Sequence, residues 1–402
     1  MTRCRACGHP ITEFFSLGAM PPVNAFLKKK DIPNERSFDL SVGFCQKCYL
    51  VQLLKIVDPK DLFRHYLYFS STTQSIIEYS KTTAYYLIQR LKLGRGSLVV
   101  EIGSNDGVHL RWYQKAGIKV LGIDPARNVA AEAIKKGIPT KTAFFGHEVA
   151  KELARSNIHA DLLYGANVLA HIPDILGCVR GVSTVLKKTG TAVFESPYIG
   201  GLFENKFDTI YHEHVFYYSL LALQNLFARA NLCIYDCEFV HMQGGSLRIF
   251  VCHEGMYSAS EQVRELVDQE HQHGFHRLSS YLKIRTNVEK LRTQLTGLLK
   301  KLKKDGKRVA AYGAPAKGMV LLNYFRLGKF LDFIADKSEA KQGLYTPGTH
   351  FLIYPPSKVV DDRPDYVLIL PWNISDEVMG FLTEYQKKGG KFIIPVPDVI
   401  IV

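Results

Sequence analysis

The sequence of 402 residues predicts an α/β protein in three parts. Two CxxC pairs lie near the N-terminus, as in a small metal-binding module. Strand and helix patterns alternate from residue 97 to about 200, and a second alternating run begins at residue 307. Such alternation is typical of a parallel sheet with helices on both faces. We therefore expect a zinc-binding module at 1–57, a Rossmann-like domain at 58–255, and a helical connection with a second Rossmann-like α/β domain at 256–402.

Charge and composition limit the class of protein. The net charge of +13 is compatible with an anionic partner such as nucleic acid, an anionic membrane or a phosphorylated small molecule, but a solvated basic surface is the favoured interpretation. Much of the excess lies in residues 283–308, where apolar residues recur every three or four positions, and this predicts an amphipathic helix with a basic outer face. One charged helix does not establish nucleic-acid binding. No run of about 18 uncharged apolar residues and no N-terminal signal segment is present, so we expect a cytoplasmic protein without a membrane span.

Four of the eight cysteines form two tight pairs, Cys4 with Cys7 and Cys45 with Cys48. Each CxxC turn places two thiolates on one side of a knuckle, and two knuckles complete a tetrahedral four-sulfur site suited to zinc. A redox role is less favoured, because thioredoxin-like CxxC motifs open a helix within a βαβ pattern and neither pair does. Unliganded dithiols are the alternative. With four protein ligands, the zinc is expected to build the fold rather than to act on substrate.

The first strand of the central domain runs into a glycine-containing turn, VVEIGSNDG at residues 99–107. Gly103 permits a sharp turn, and Gly107 permits close packing where the next helix begins. A dinucleotide-binding loop would have GxGxxG instead. Glu101 at the strand end would repel a pyrophosphate but fits a cofactor with a cationic aminoacyl group. Asp124, which ends the next strand, is placed to accept ribose hydroxyls, although this residue alone would suit NAD equally well.

The glycine turn resembles the first motif of Rossmann-like methyltransferases, E/D-x-G-x-G-x-G, with Asn105 in place of the middle glycine. Asparagine tolerates positive φ better than most residues, so the departure is mild. The resemblance implies S-adenosylmethionine as cofactor. Phe144 and Phe145 stand where the adenine pocket is usually lined, although ordinary core aromatics fit the pattern equally well. The residues expected to bind the cofactor are Glu101, Gly103, Ser104, Asn105, Gly107, Asp124, Pro125, Phe145 and Asn167.

The segment YHEHVFYYS places four titratable groups in succession at residues 211–214. Methyl transfer to carbon needs a base that removes a proton next to a carbonyl and a donor that stabilises the resulting enolate. Histidine and tyrosine are suited to these tasks near neutral pH, and a glutamate can orient a histidine. The spacing does not match HExxH, so a second zinc site is not expected. A packed or exposed polar strand is the alternative, and four titratable groups in four residues disfavour it.

The order of motifs along the chain resembles the sugar-nucleotide C-methyltransferase family, whose members methylate the third ring carbon of TDP-4-keto-6-deoxy sugars. The resemblance covers nearly the whole chain. It implies deprotonation beside the 4-keto group, followed by attack of the enolate on the methyl group of S-adenosylmethionine. The motifs that carry it are the two CxxC pairs, YLYFSSTT, EIGSNDG, NVLAH, YHEH, GGSLR and YGAPAKG.

The family resemblance implies roles for individual side chains. His214 is the preferred general base, and Tyr211 and Glu213 would position the sugar or stabilise the enolate. In YLYFSSTT the inward-pointing tyrosine is expected to be Tyr68, although Tyr66 fits the motif as well. The expected catalytic residues are His214, Tyr211, Glu213, His171 and Tyr68.

A sugar nucleotide also needs contacts to its diphosphate. MQGGSLRIF offers a glycine turn with the Ser246 hydroxyl and the Arg248 cation. YGAPAKG is a strand-to-helix loop with Lys317 near a helix N-terminus, a common anion site. Tight turns at its two glycines would explain this loop equally well. Ser246, Arg248 and Lys317 are the residues expected to bind substrate.

Three other functions fit parts of the sequence. A methyltransferase that acts on RNA would suit the CxxC module and the basic charge, but the basic residues are not interleaved with stacking aromatics. A non-catalytic zinc-bearing binding protein with a vestigial cofactor fold would fail to bind S-adenosylmethionine. An oxidoreductase is disfavoured by the chemistry of the glycine turn. We expect a small-molecule nucleotide sugar as substrate and no nucleic-acid or membrane partner, and the sequence is compatible with a monomer.

Overall fold

The computed structural model contains three sheets. It describes residues 2–58, 69–72, 74–240 and 245–402. The expected α/β class is confirmed, with a cysteine cluster in the N-terminal module and an α/β arrangement in each of the two larger parts. Tyr66 and Tyr68 lie outside the described residues. None of the helices that are described combines the length and the apolar character needed to cross a bilayer.

The N-terminal module is built on a small antiparallel sheet. Its strands, in their order across the sheet, are β1 (Thr12–Met20), β2 (Phe38–Phe44), β3 (Val51–Leu53) and β9 (Phe216–Tyr217). The fourth strand comes from the middle of the chain, because Val51 pairs with Tyr217 and Gln52 pairs with Phe216. The module therefore shares a sheet with the segment that follows the YHEH motif.

The central sheet has seven strands. In chain order these are β4 (Leu98–Ile102), β5 (Lys119–Asp124), β6 (Thr140–Thr142), β7 (Ala160–Ala166), β8 (Leu186–Pro197), β10 (Leu232–Val240) and β11 (Ser246–His253). Across the sheet the order is β10-β11-β8-β7-β4-β5-β6, with β10 and β11 antiparallel and the other strands parallel. The chain runs outward from β4 to β6 and then returns to β7 on the other side of β4. A crevice at such a switch point is the usual ligand site of an α/β sheet.

Helices bury both faces of the central sheet. Val99 and Val100 are neighbours on β4 but belong to different core clusters, and this explains why the strand is apolar throughout. The α-helices of this part are α1 (Gln74–Arg90), α2 (Leu110–Lys115), α3 (Arg127–Lys135), α4 (His147–Arg155), α5 (Ile175–Val185), α6 (Gly200–Phe203) and α7 (Leu220–Phe227). Short 3₁₀ helices in the module and the central part are Lys29–Asn34, Ser70–Thr72, Leu169–His171, Phe207–Thr209 and Ala228–Ala230.

Two helices, α8 (Glu261–Gln272) and α9 (Leu278–Lys304), lead from the central part to the C-terminal one. The expected amphipathic helix is confirmed by α9, which buries an apolar stripe and exposes its basic residues. The stripe consists of Tyr281, Ile284, Val288, Leu291, Leu295, Leu299 and Leu302. It packs against the N-terminal module, where the Tyr281 ring stacks on Phe44 with 4.6 Å between centroids. The connection thus joins the last part of the chain to the first.

The C-terminal sheet has the order β14-β13-β12-β15-β16-β17, where β12 is Val309–Tyr312, β13 Ile334–Ala335, β14 Ile353–Tyr354, β15 Tyr366–Ile369, β16 Lys391–Ile394 and β17 Ile400–Ile401. All of its strand pairs are parallel except the last. Its α-helices are α10 (Ala316–Phe325), α11 (Ser357–Asp362), α12 (Ser375–Phe381) and α13 (Thr383–Lys387), and its 3₁₀ helices are Leu327–Phe330 and Trp372–Ile374. The second α/β unit expected from the sequence is therefore present.

Candidate active site

A cavity of about 920 Å³ opens at the carboxyl ends of the parallel central strands. Glu101 from β4, Asp124 from β5 and Asn167 after β7 line it. The YHEH segment reaches the same cavity, because Tyr211, Glu213 and His214 also belong to its lining, together with His171. The glycine turn and the titratable cluster, which are more than 100 residues apart in the chain, therefore face one space.

The backbone of the glycine turn requires the residues that occupy it. Gly103 has φ +67°, and a Cβ atom there would lie 2.3 Å from the Cγ1 of Val168. Gly107 has φ +77° and packs against Ile138 behind the turn, outside the cavity lining. Asn105 also adopts a positive φ of +49°, which agrees with its replacement of a glycine. The turn therefore brings backbone close to the cavity where side chains would obstruct it.

Two acids stand at the strand ends beside this turn. Asp124 is fixed by two backbone amides, since its Oδ2 accepts from Asn105 N at 2.8 Å and its Oδ1 from Ala126 N at 2.9 Å. Glu101 is buried, and its Oε2 has no hydrogen-bond partner among the described residues. Burial raises the pKa of Glu101 well above its usual value, and the nearby charge of Asp124 adds to the rise. A buried carboxylate with an unmatched oxygen fits the cationic aminoacyl group of S-adenosylmethionine.

The remaining residues expected at the cofactor site also lie around the cavity. Ser104, Asn105, Pro125 and Asn167 belong to the lining. The two aromatics differ: Phe145 is buried in the core, while Phe144 is 44% exposed, and both line the cavity. Phe144 thus offers a ring face to a ligand more readily than Phe145, which was the one expected from the sequence.

Hydrogen bonds fix the protonation of His214. Its Nδ1 lies 2.9 Å from the carbonyl oxygen of Thr209, which can only accept, so the proton is on Nδ1. Burial lowers the pKa of His214 well below its usual value, and the neighbouring His171 lowers it further. The ring is therefore neutral, and its Nε2 accepts from the Tyr211 hydroxyl at 2.6 Å. The two side chains form a pair that can pass a proton along one hydrogen bond.

His171 and Glu213 complete the catalytic cluster expected from the sequence. The Nδ1 of His171 donates to the backbone oxygen of Glu213 at 2.7 Å, and the ring centroids of His171 and His214 are 5.0 Å apart. Burial lowers the pKa of His171 to about 4, so this ring is neutral as well. Burial raises the pKa of Glu213 to about 7. His212 lies away from the cavity, with its Nε2 3.1 Å from the Phe38 oxygen of the N-terminal module.

The sequence analysis missed several polar residues of the cavity lining, among them Glu195, Tyr79 and Asn24. Glu195 at the end of β8 accepts from Tyr79 Oη at 2.7 Å, and both residues line the cavity. The strand pattern TAVFES, with an acid at its carboxyl end, could have identified Glu195. Asn24 belongs to the N-terminal module, and its position in the MPPVN turn gave no comparable signal.

The cations expected to bind a diphosphate have protein partners instead. Arg248 is 5% exposed, and its guanidinium donates to Glu195 Oε1 at 2.8 Å and to Glu238 Oε1 at 2.6 Å. Ser246 is buried at the start of β11. Lys317 is half-buried in the first turn of α10, with its Nζ 5.1 Å from the centroid of Trp372. None of the three expected residues lines the cavity, so this geometry gives no support to their substrate-binding role.

The four cysteines of the CxxC pairs converge on one point. Their Sγ atoms all lie within 4.8 Å of one another, with Cys4 and Cys48 3.5 Å apart and Cys7 and Cys45 3.4 Å apart. Tetrahedral zinc with Zn–S bonds of about 2.3 Å requires sulfurs separated by about 3.8 Å, so a small expansion accommodates the ion. No other group of three or more metal-ligating residues is found in the described ranges. The donor set fits a closed structural zinc site.

Comparison with known proteins matches each part of the chain to a family model. A zinc binding domain matches residues 4–63, a methyltransferase domain 78–236, and a C-methyltransferase C-terminal domain 241–397. The C-methyltransferase NovU of Streptomyces niveus is 37% identical over 400 residues, which cover 98% of this chain and 95% of the relative.

Solved structures are similar only in part of the chain. The magnesium protoporphyrin IX methyltransferase of Synechocystis PCC 6803 with bound SAM is 13% identical over 44% of this chain and 79% of that one, with a TM-score of 0.34. A SAM-dependent methyltransferase of Clostridium acetobutylicum ATCC 824 is 12% identical over 44% of this chain and 92% of that one, with a TM-score of 0.36. Scores this low add no argument about the fold. From the full-length relative and the three matched domains, the chain belongs to the family of S-adenosylmethionine-dependent C-methyltransferases with an N-terminal zinc-binding domain.

Proposed function

We propose that this enzyme transfers the methyl group of S-adenosylmethionine to the third ring carbon of a TDP-4-keto-6-deoxy sugar. The observation that carries the proposal is the single cavity lined by the glycine turn and by the Tyr211–His214 pair. A sugar beside this pair would lie in the same space as a methyl donor held by the turn. Carbon methylation agrees with the family, and the resemblance of motif order supplies the sugar class.

The Tyr211–His214 pair would remove the proton next to the ketone. Tyr211 Oη takes the proton from carbon as its own proton moves to Nε2 of His214, so His214 is the final acceptor. The neutral ring leaves Nε2 able to accept this proton, and although burial opposes a charged ring, the Thr209 contact on Nδ1 stabilises it. The electrons of the broken C–H bond pass into an enolate.

Glu213 is suited to stabilise the enolate oxygen. With a pKa raised to about 7 by burial, its carboxyl is protonated in a large fraction of molecules near neutral pH and can donate a hydrogen bond. His171 lines the cavity beside Glu213 and His214, so its neutral ring lies where a sugar would bind. These two residues would hold the sugar in the orientation that exposes the third ring carbon.

The end of the cavity beside the glycine turn has acidic groups that suit the methyl donor. Ionised Glu101 would hold the ammonium group, and Asp124, already fixed by two amides, would accept from the ribose hydroxyls. S-adenosylmethionine supplies an electrophilic methyl group, and as the carbon–carbon bond forms, the carbon–sulfur bond breaks and the ketone is restored. Gly103 keeps the turn in this conformation, since a side chain there would clash with Val168.

The proposal is tested by incubating the zinc-loaded enzyme with S-adenosylmethionine and TDP-4-keto-6-deoxyglucose. The expected product is heavier by one methylene group, and NMR should place the new methyl on the third ring carbon. RNA with the same methyl donor is the comparison substrate. Methylated RNA with an unchanged sugar nucleotide would overturn the proposal, as would a methyl group on any sugar oxygen.

A further inference from the structure

The N-terminal module contributes a side chain to the cavity, and the local backbone holds it there. Asn24 lines the cavity immediately after the buried Val23. A turn fixes this segment, with Ala25 N donating to Pro22 O at 3.0 Å. A few residues further on, Leu27 exchanges two backbone hydrogen bonds with Tyr345 of the C-terminal part, at 3.0 and 2.8 Å. Asn24 therefore lies on a segment, residues 22–27, that is held by its own turn at one end and by Tyr345 at the other; we call this segment the strap.

The Asn24 amide binds one of the catalytic groups. Its Nδ2 donates to Glu213 Oε1 at 2.7 Å, and both residues line the cavity. An amide N–H can donate to a carboxyl in either state, although more strongly to the ionised one, so Oε1 is engaged in both states and a proton on Glu213 resides on Oε2. The backbone of Glu213 is held separately by His171. Asn24 is therefore the contact that fixes the carboxyl group itself.

The rest of the YHEH segment is tied to the same module. His212 Nε2 meets the Phe38 oxygen at 3.1 Å, and Leu53 N donates to Val215 O at 2.8 Å. Immediately afterwards, β9 joins the sheet of the module. The residues on both sides of Glu213 are thus held by the same module that carries Asn24. The backbones that carry the Asn24 and Glu213 side chains are therefore fixed relative to each other.

We infer that Asn24 is a positioning residue for methyl transfer, which holds the Glu213 carboxyl so that Oε2 is the oxygen offered to the substrate. The inference rests on the proposed function, because it assumes that Glu213 stabilises the enolate. It also gives the zinc-binding module a part in the reaction: the module holds an acid of the active site in place. Asn24 acts through Glu213 and takes no proton itself.

The test compares Asn24→Ala and the isosteric Asn24→Asp with a matched control, Asn34→Ala, at an exposed position of the same module. Loss of a hydrogen bond to a charged or acidic group should lower kcat for the sugar nucleotide about 10- to 100-fold in both Asn24 variants. The Kd for S-adenosylmethionine should stay within about twofold of wild type, since the Asn24 side chain bonds to Glu213 and not to the glycine turn. Asn34→Ala should change neither quantity. Zinc content and melting temperature show whether each variant folds.

A second readout does not depend on the substrate. The Glu213 carboxyl can be titrated by ¹³C NMR in labelled enzyme, with Glu213→Gln to assign its signal. The Asn24 hydrogen bond lowers the pKa of Glu213, so Asn24→Ala should raise it, and the added negative charge of Asn24→Asp should raise it further. If wild type fails to methylate the sugar but these shifts appear, the proposed function fails and the Asn24–Glu213 coupling stands. If wild type is active and the Asn24 variants match it in kcat and in titration, the inference is overturned.

Discussion

The position of the proton on the neutral His214 ring determines which ring nitrogen can accept a second proton. Because Nδ1 carries the proton and donates it in a hydrogen bond to the Thr209 oxygen, Nε2 is left as an acceptor for the Tyr211 hydroxyl. A ring with the opposite tautomer would offer a donor to Tyr211 and could not act as a base. The short chain segment from Thr209 to His214 therefore determines both the position and the direction of proton transfer.

Replacement of His214 by Gln should abolish turnover and leave the cofactor site intact. Loss of a general base costs about 100- to 10,000-fold in rate, so kcat should fall at least 100-fold. Isothermal titration should give a Kd for S-adenosylmethionine within about twofold of wild type. His273→Gln is the control for a change of histidine to glutamine, because His273 is exposed and does not line the cavity. A His214→Gln enzyme that keeps activity within a few-fold of wild type would show that another residue is the base.

Replacement of Glu101 by Gln should weaken cofactor binding in a pH-dependent way. Only the ionised carboxyl attracts the ammonium group, and the pKa of Glu101 in the free enzyme is raised by burial. Wild-type affinity for S-adenosylmethionine should therefore decrease as the pH is lowered from the alkaline side through this raised pKa, because protonation removes the charge. Titration calorimetry across this range should show a flat and weaker profile for Glu101→Gln. An identical slope in both enzymes would exclude this role for Glu101.

Among the secondary-structure elements, those with local signals could be predicted. The apolar run before EIGSNDG predicts β4 and its turn, because strand, glycine positions and following helix lie within a few residues. The pairing of β9 with β3 could not be predicted, since it joins residues 51 and 217. The spacing of apolar residues within a short segment indicates a strand but not which distant strand it pairs with. For the same reason Arg248 was expected to face a diphosphate. Antiparallel pairing instead places it opposite Glu195 on β8 and Glu238 on β10.

The conformation of the glycine turn can be tested with a matched pair of glycines. Gly103→Ala introduces a Cβ 2.3 Å from Val168 at φ +67°, whereas Gly137→Ala places one in open space at φ +79°. Both should incur the strain of positive φ, about 1 kcal/mol or more. Gly103→Ala should also displace the turn and raise the Kd for S-adenosylmethionine at least about tenfold. Calorimetry with both variants checks this, and equal cofactor affinity in the two would contradict the assigned turn.

On the scale of the whole molecule, the three parts meet around the Glu213 segment. The N-terminal module supplies Asn24 and the sheet that includes β9, while the central part supplies the glycine turn and the Tyr211–His214 pair. The C-terminal part contacts the strap through Tyr345. It also contacts the central part through Trp372, whose Nε1 donates to the Asp208 carboxylate at 2.6 Å. Through these contacts the zinc-binding module would hold the Glu213 segment in place.

Loss of a zinc ligand should therefore impair activity more than cofactor binding. Cys4→Ser removes one of the four sulfurs, so zinc content by mass spectrometry and soluble yield should both fall. Because β9 and Asn24 depend on the module, the remaining soluble protein should lose turnover while it retains most of its affinity for S-adenosylmethionine. Cys178→Ser, a buried cysteine outside the cluster, is the control for a change of sulfur to oxygen. Full zinc content in Cys4→Ser would contradict the assignment of ligands.

The central claim is that the Tyr211–His214 pair removes a proton from carbon before the methyl group arrives. Exchange of the hydrogen on the third ring carbon can be followed by NMR in heavy water, with TDP-4-keto-6-deoxyglucose and enzyme but without a methyl donor. Wild type should exchange this hydrogen for deuterium, and His214→Gln should not exchange it above the rate without enzyme. Exchange at the same rate in both enzymes would contradict the claim.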